Sequence, residues 1–156
     1  MKISKKIFVV CMLFCLHTAC EEDFTSTIPF APVNLTIDLI NYNLTLAPSY
    51  KEFITWEDTS FPLETDRFGF GGILVVNGFG FGGSAINLYA YDLACPNEAQ
   101  HDIRVKPQDS GLQAVCPKCG AVYNTATGGA PESGSKYWLR RYNIVEIGEK
   151  RYRITH

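Results

Sequence analysis

Cys95, Cys116 and Cys119 are the residues of this chain whose type and spacing most plainly carry chemistry. In Cys116-Pro117-Lys118-Cys119-Gly120, two cysteines stand two residues apart, with proline and glycine to turn the backbone. Such a turn aims both sulfurs at one ion while amide N–H groups stabilise the thiolates. Alone it supplies two ligands where a closed zinc site takes four. The third thiol is Cys95, and the other donors near it are Asn97, Glu98 and His101. There is no second Cys-x-x-Cys, which excludes an ordinary zinc ribbon.

Rival chemistries find less support. A catalytic cysteine needs a histidine partner, and beyond residue 20 the chain has only His101 and His156, the latter at a terminus, where order is easily lost. The glycines at 69, 71, 72, 78, 80, 82 and 83 lack the Gly-Lys-Ser/Thr of a phosphate loop and a following helix, so they read as turns beside strands. Carboxylates are scattered in loops with no spacing to prefer. Arg140 and Arg141 are adjacent, so on a strand they face opposite sides, and neither needs a special role. Trp56, Trp138 and the many tyrosines and phenylalanines read as the core and rim of a small β domain.

The elements that must position the thiols are short strands. Val33, Leu35, Ile37 and Leu39 alternate with polar residues, a period of two that predicts a half-buried strand. Leu44 and Leu46 repeat the pattern until Pro48. Phe53 to Trp56 is another β-prone run, closed by Glu57 and Asp58. Ile73-Leu74-Val75-Val76 is a continuous apolar run suited to a buried strand, and Ile86 to Asp92 alternates again. Leu112 to Val115 and Ala121 to Tyr123 flank the Cys116 turn, and Tyr137 to Ile144 and Arg151 to Ile154 close the chain. No segment after Cys20 has a helical period of any length. Many short strands with Gly, Pro and Asn turns predict an all-β barrel or sandwich.

Residues 1–19 read as a secretory signal: Lys2, Lys5 and Lys6 precede the apolar stretch from Ile7 to Leu16, which falls well short of the roughly 20 residues of a membrane span. Leu16-His17-Thr18-Ala19-Cys20 resembles a bacterial lipoprotein signal, in which the cysteine becomes the acylated first residue, and Glu21-Glu22-Asp23 suits a membrane tether. The expected organisation is thus a signal at 1–19, a lipidated Cys20 and tether to residue 32, and one domain at 33–156. Loss of three lysines leaves 11 basic residues against 16 acidic ones, moving the net charge from −2 to −5. A mildly acidic chain without a basic run is not expected to bind nucleic acid. The expected location is the bacterial envelope, on the outer membrane at its periplasmic or surface face. The expected partners are the lipid bilayer, through Cys20, and a protein that the sequence does not specify.

From Leu88 to Ile144 the chain resembles a Rieske iron–sulfur domain. That family has a first loop Cys-x-His and a second loop Cys-x-x-His-Gly, followed by an aromatic with an amide or acid, Thr-Gly, Gly/Pro residues and a strand Leu-x-x-Tyr-x-aliphatic. Here the strand Leu88 to Asp92 leads to Cys95-Pro96-Asn97. Cys116 to Gly120 then runs on to Tyr123-Asn124, Thr127-Gly128, Pro131, Gly134 and Leu139-Arg140-Arg141-Tyr142-Asn143-Ile144. The looser resemblance extends from Val33 to His156. It implies a Rieske-like all-β fold with two metal-loop hairpins, a 2Fe-2S cluster, and service in electron transfer rather than catalysis by the domain alone.

Asn97 and Cys119 occupy the two positions where the family has histidine. Three occupancies therefore stay open. One is a 2Fe-2S cluster with an atypical ligand set. Another is a single zinc or iron ion on Cys95, Cys116 and Cys119, with Asn97 or His101 as the candidate fourth ligand. The last is a metal-free binding or structural module with a Cys95–Cys116 or Cys116–Cys119 disulfide, or with free thiols. The signal also lacks the arginine pair that directs export of a folded, cluster-loaded protein.

Overall fold

The structure, a computed structural model, describes residues 25–79 and 86–156. The signal segment, Cys20, the acidic residues 21–23 and the glycines at 80, 82 and 83 lie outside the described residues. Among the described residues, eleven strands form two antiparallel sheets. The strands are β1 (Val33–Asp38), β2 (Ser49–Phe53), β3 (Arg67–Phe68), β4 (Ile73–Asn77), β5 (Leu88–Asp92), β6 (Lys106–Pro107), β7 (Gln113–Val115), β8 (Val122–Asn124), β9 (Ala130–Ser133), β10 (Arg141–Gly148) and β11 (Arg151–Thr155). The larger sheet runs β2-β4-β5-β10-β11-β1-β3 and the smaller β6-β7-β8-β9. The expected all-β architecture is therefore present, and one short 3-10 turn, Trp56–Asp58, is the single helical element among the described residues.

Local pattern explains most of the large sheet. In β1 the alternation buries Val33, Leu35 and Ile37 and leaves the intervening residues half-buried. β4 is buried along its whole length, as its unbroken apolar run requires when strands flank it on both sides. Three expected strands differ, one being the Tyr137–Ile144 run: Trp138 and Leu139 give their N–H groups to Thr25 O and Gly129 O, and β10 starts only at Arg141 and runs to Gly148. Leu44 and Leu46 form no strand: the chain reverses at Asn43, which takes a left-handed φ of 57°, burying Leu44 and exposing Leu46. The Phe53–Trp56 run is displaced toward the N-terminus, because Asp58 Oδ2 accepts the N–H groups of Ile54 and Thr55, each at 2.8 Å, and ends β2 at Phe53.

Two apolar clusters share the strands between them. Leu35, Ile37, Phe53, Val75 and Ile154 fill one side of the large sheet, and Leu74, Tyr91, Leu93, Val105, Tyr123 and Leu139 fill the space between the sheets. Cys95 and Cys116 belong to the second cluster. Residues 25–32, expected from composition to belong to the tether, dock on the domain: Ile28 is buried, Thr25 O accepts the Trp138 N–H at 3.1 Å, and the Thr27 hydroxyl donates to Pro96 O.

Asp92, at the end of β5, organises the approach to the first cysteine. It is wholly buried. Its oxygens accept the N–H groups of Phe70 (2.7 Å), Gly71 (2.9 Å) and Ala94 (2.7 Å) and the Tyr142 hydroxyl (2.5 Å). A buried carboxylate is tolerated when donors surround it in this way. Gly71 lies so close to this strand that a Cβ would stand 2.6 Å from Ala94 N, so the glycine is required for close approach.

Candidate metal centre

The two cysteine segments fold into like turns. In the first, which follows β5, the Glu98 and Ala99 N–H groups donate to Cys95 O at 3.1 and 2.8 Å, and Ala99 takes a φ of 49°. The second joins β7 to β8. There the Gly120 N–H donates to Cys116 O at 2.9 Å, and Gly120 takes a φ of 72°. Each turn thus closes on the carbonyl of its leading cysteine four residues back. That φ comes at no steric cost in glycine. In Ala99 it is a strained conformation that the fold holds in place.

Each leading cysteine is tied down through its own N–H. The Cys95 N–H donates to Ile103 O and the Cys116 N–H to Ala121 O, both at 2.9 Å. Those anchors bury both leading sulfurs and leave Cys119 exposed at the tip of its turn. The three Sγ atoms lie within 4.8 Å of one another, and Cys95 Sγ is 3.7 Å from Cys119 Sγ. All three are free thiols, so neither of the disulfides weighed above is formed.

The surroundings push the Cys95 and Cys119 thiols in opposite directions. Burial pushes the Cys95 thiol up to about 12, and its contact with Cys116 adds to this. At Cys119, burial also acts upward, but the Ala121 N–H, the Asn97 amide and the other two thiols outweigh it and leave the group below the ordinary thiol value. Tyr123 closes the floor, its hydroxyl 3.7 Å from Cys95 Sγ. The Lys118 ammonium and Glu98 carboxylate, 2.6 Å apart, join the two turns at the rim.

Neither candidate fourth ligand places an unengaged metal-ligating atom beside the thiols. Asn97 stands beside them, but its amide nitrogen donates to Gly134 O at 2.7 Å and faces Cys119 Sγ at 3.5 Å, while its oxygen accepts the Ser135 hydroxyl at 2.8 Å. As placed, Asn97 supports the Cys119 thiolate by donation. His101 is exposed and outside the group of donors, its ring edge-on to Phe70 with centroids 6.2 Å apart. Ser135 and Gly134 form a third loop over the site that sequence reasoning did not identify as functional. The glycines and proline near them were the available signal. The left-handed φ of Gly134 (72°), with Ala121 Cα only 3.0 Å from where a Cβ would stand, shows why the position needs glycine.

Fold and site together define an all-β domain that presents three thiols on two like turns beneath a third loop. No protein-family model matches the chain, and no curated protein matches it. Among solved structures it is similar to a Mycobacterium tuberculosis protein described as the small subunit of an NADH-dependent nitrite reductase. The identity is 11% and the TM-score 0.45, over 81% of this chain and 96% of the other.

Proposed function

We propose that this chain is an exported, lipid-anchored domain of Rieske-like build that holds one metal ion on Cys95, Cys116 and Cys119 and transfers single electrons when that ion is iron. The observation that carries the reading is the convergence of the three sulfurs to within 4.8 Å from two separate loops. Three thiolates form a soft donor set suited to zinc or iron.

Sulfurs each ~2.3 Å from one tetrahedral ion lie roughly 3.8 Å apart. The Cys95–Cys119 spacing of 3.7 Å matches that edge. A two-iron core sets thiolates on different irons farther apart, since the iron–iron axis separates them. The Rieske pattern would place Cys95 and Cys119 on different irons, so their closeness favours a single ion over that cluster. No further donor among the described residues joins the three sulfurs, so a fourth ligand would come from outside that group. Attachment of Cys20 to the envelope membrane, with only residues 21–24 before the docked arm, keeps the domain close to the bilayer.

The test is metal analysis of the chain lacking its signal, purified anaerobically. One iron or zinc per chain without acid-labile sulfide is expected, falling to a small fraction in Cys116→Ser. Two irons with two labile sulfides would replace the single-ion reading by a cluster. Failure of the reduced protein to bind iron(II) or zinc in titration would sink both.

A further inference from the structure

We propose that the cleft between the N-terminal arm and the start of β10 binds an oxyanion, a carboxylate or a phosphate, carried on an apolar body of about ring size. The proposal is independent of the metal centre. The cleft has a volume of about 620 Å³ and is lined by Ser26 of the arm, Thr127 and Gly128 of the β8–β9 turn, and residues 138–141. That volume lies within the range of small-molecule sites.

Charge is the first argument. Arg140 and Arg141 both line the cleft, and no acidic residue does. Arg140 precedes β10, which begins at Arg141, and both residues contribute to the wall of the cleft. Among the described residues the ion pair formed is Lys118–Glu98, so neither arginine has a carboxylate within reach. Two guanidinium groups without a carboxylate partner among the described residues thus line one cleft, on a chain whose net charge is −2.

Unused hydrogen-bonding capacity is the second. The Arg140 side chain is fixed by neutral partners, donating to Ile28 O at 2.9 Å and meeting His156 Nε2 at 2.9 Å. That contact also orders His156, whose ring lies 4.4 Å from Phe30 between centroids. Arg140 Nε is buried without a partner, and so is Ser26 Oγ, on the opposite wall. Buried polar atoms are rarely left unpaired, and an N–H on a charged group least of all. Arg141 is also set in place, its guanidinium 5.2 Å from the centre of the Tyr89 ring, which stacks on Tyr91. Two oriented cations and a hydroxyl match the several acceptors of an oxyanion. Trp138 and Leu139 supply apolar surface for the rest of the ligand.

The experiment is an NMR titration of the full chain with phenyl phosphate, benzoate, inorganic phosphate and benzyl alcohol, following the Trp138 indole N–H and the Arg140 Nε–H. Saturable shifts are expected with phenyl phosphate and benzoate, the tighter of the two identifying the head group. Ser26→Ala and Arg141→Gln should each weaken binding about tenfold with melting temperature unchanged. Arg140→Lys, which keeps the charge and loses the Nε–H, should weaken binding as much, with some loss of melting temperature because the contact with Ile28 O goes too. Equal binding of benzyl alcohol, no binding of either anion, or affinity unmoved by these substitutions would overturn the proposal. Inorganic phosphate binding as well as phenyl phosphate would remove the apolar body from it. Binding seen only after Glu21→Gln, Glu22→Gln and Asp23→Asn together would make the chain's own acidic segment the occupant, which also overturns it.

Discussion

Cys95 Sγ and Cys119 Sγ stand 3.7 Å apart although 24 positions of sequence separate them. The contact follows from two turns of the same design, one after β5 of the large sheet and one between β7 and β8 of the small sheet: each leading cysteine is fixed by its own N–H, and the second turn carries its tip back toward the first.

In the reduced, metal-free protein, iodoacetamide should label Cys119 first and Cys95 last. Cys119 is exposed, and hydrogen bonds keep its pKa below that of an ordinary thiol in spite of burial. Cys95 is buried and pushed up to about 12. The thiolate is the nucleophile, so labelling of Cys119 should persist at neutral pH while that of Cys95 rises only toward strong alkali. Peptide mass spectrometry against pH checks this, and comparable rates at neutral pH would contradict it.

Metal removal should lower stability through the two turns that the ion would join. A ligand bound to the native state alone, at a hundredfold excess over its Kd, adds about 2.7 kcal/mol. Stripping with a chelator should therefore lower the melting temperature by several degrees, and Cys116→Ser should melt with the stripped protein and ignore the chelator. Calorimetry with and without chelator decides it.

Tyr142→Phe should destabilise the domain by about 1.5–3 kcal/mol, the range for a hydrogen bond to a charged group, because the Tyr142 hydroxyl donates to buried Asp92 at 2.5 Å. Burial, with the Asp92 charge beside it, raises the Tyr142 pKa above its ordinary value of 10.0. The raised folded value means that this contribution is complete below about pH 10 and lost as pH rises further. Denaturant titrations should show wild type losing stability above pH 10 more steeply than the variant.

Gly71→Ala should cost about 1–3 kcal/mol by overpacking, since its Cβ would stand 2.6 Å from Ala94 N and 2.8 Å from Ala94 Cβ. Ala94 precedes Cys95, so the variant should also lose metal more readily. Gly78→Ala, where the nearest atom is 3.6 Å away, is the control and should leave metal content unchanged.

Asn97→His combined with Cys119→His restores the Rieske ligand pattern. On a Rieske-like scaffold the double variant should take up two irons and two sulfides on anaerobic reconstitution, measured by iron and sulfide analysis. A folded variant that takes up none counts against the family likeness.

Much of the fold was legible because it follows short-range rules. Alternation located β1, an unbroken apolar run located β4, and the Cys-Pro-x-Cys-Gly spacing located a turn with its positive φ at Gly120. Reading failed where a distant or non-periodic contact won. Asp58 shortened the Phe53 run through its carboxylate, and the Leu44–Leu46 alternation was broken by a chain reversal at Asn43. Asp92 gave no sign in the sequence that it would be buried, since its donors come from Phe70, Gly71 and Tyr142 as well as from nearby Ala94.

The sequence by itself determined an all-β chain with two cysteine turns, because period, turn chemistry and ligand spacing act over a few residues. Only the tertiary structure decided which side chains meet. It brought Cys119 against Cys95, turned Asn97 toward Gly134 and Ser135, and kept His101 outside the donor group. It also put Arg140 and Arg141 in one cleft with Ser26. These outcomes depend on strand register and on the docking of residues 25–32, which pair segments far apart in the chain and leave no local trace.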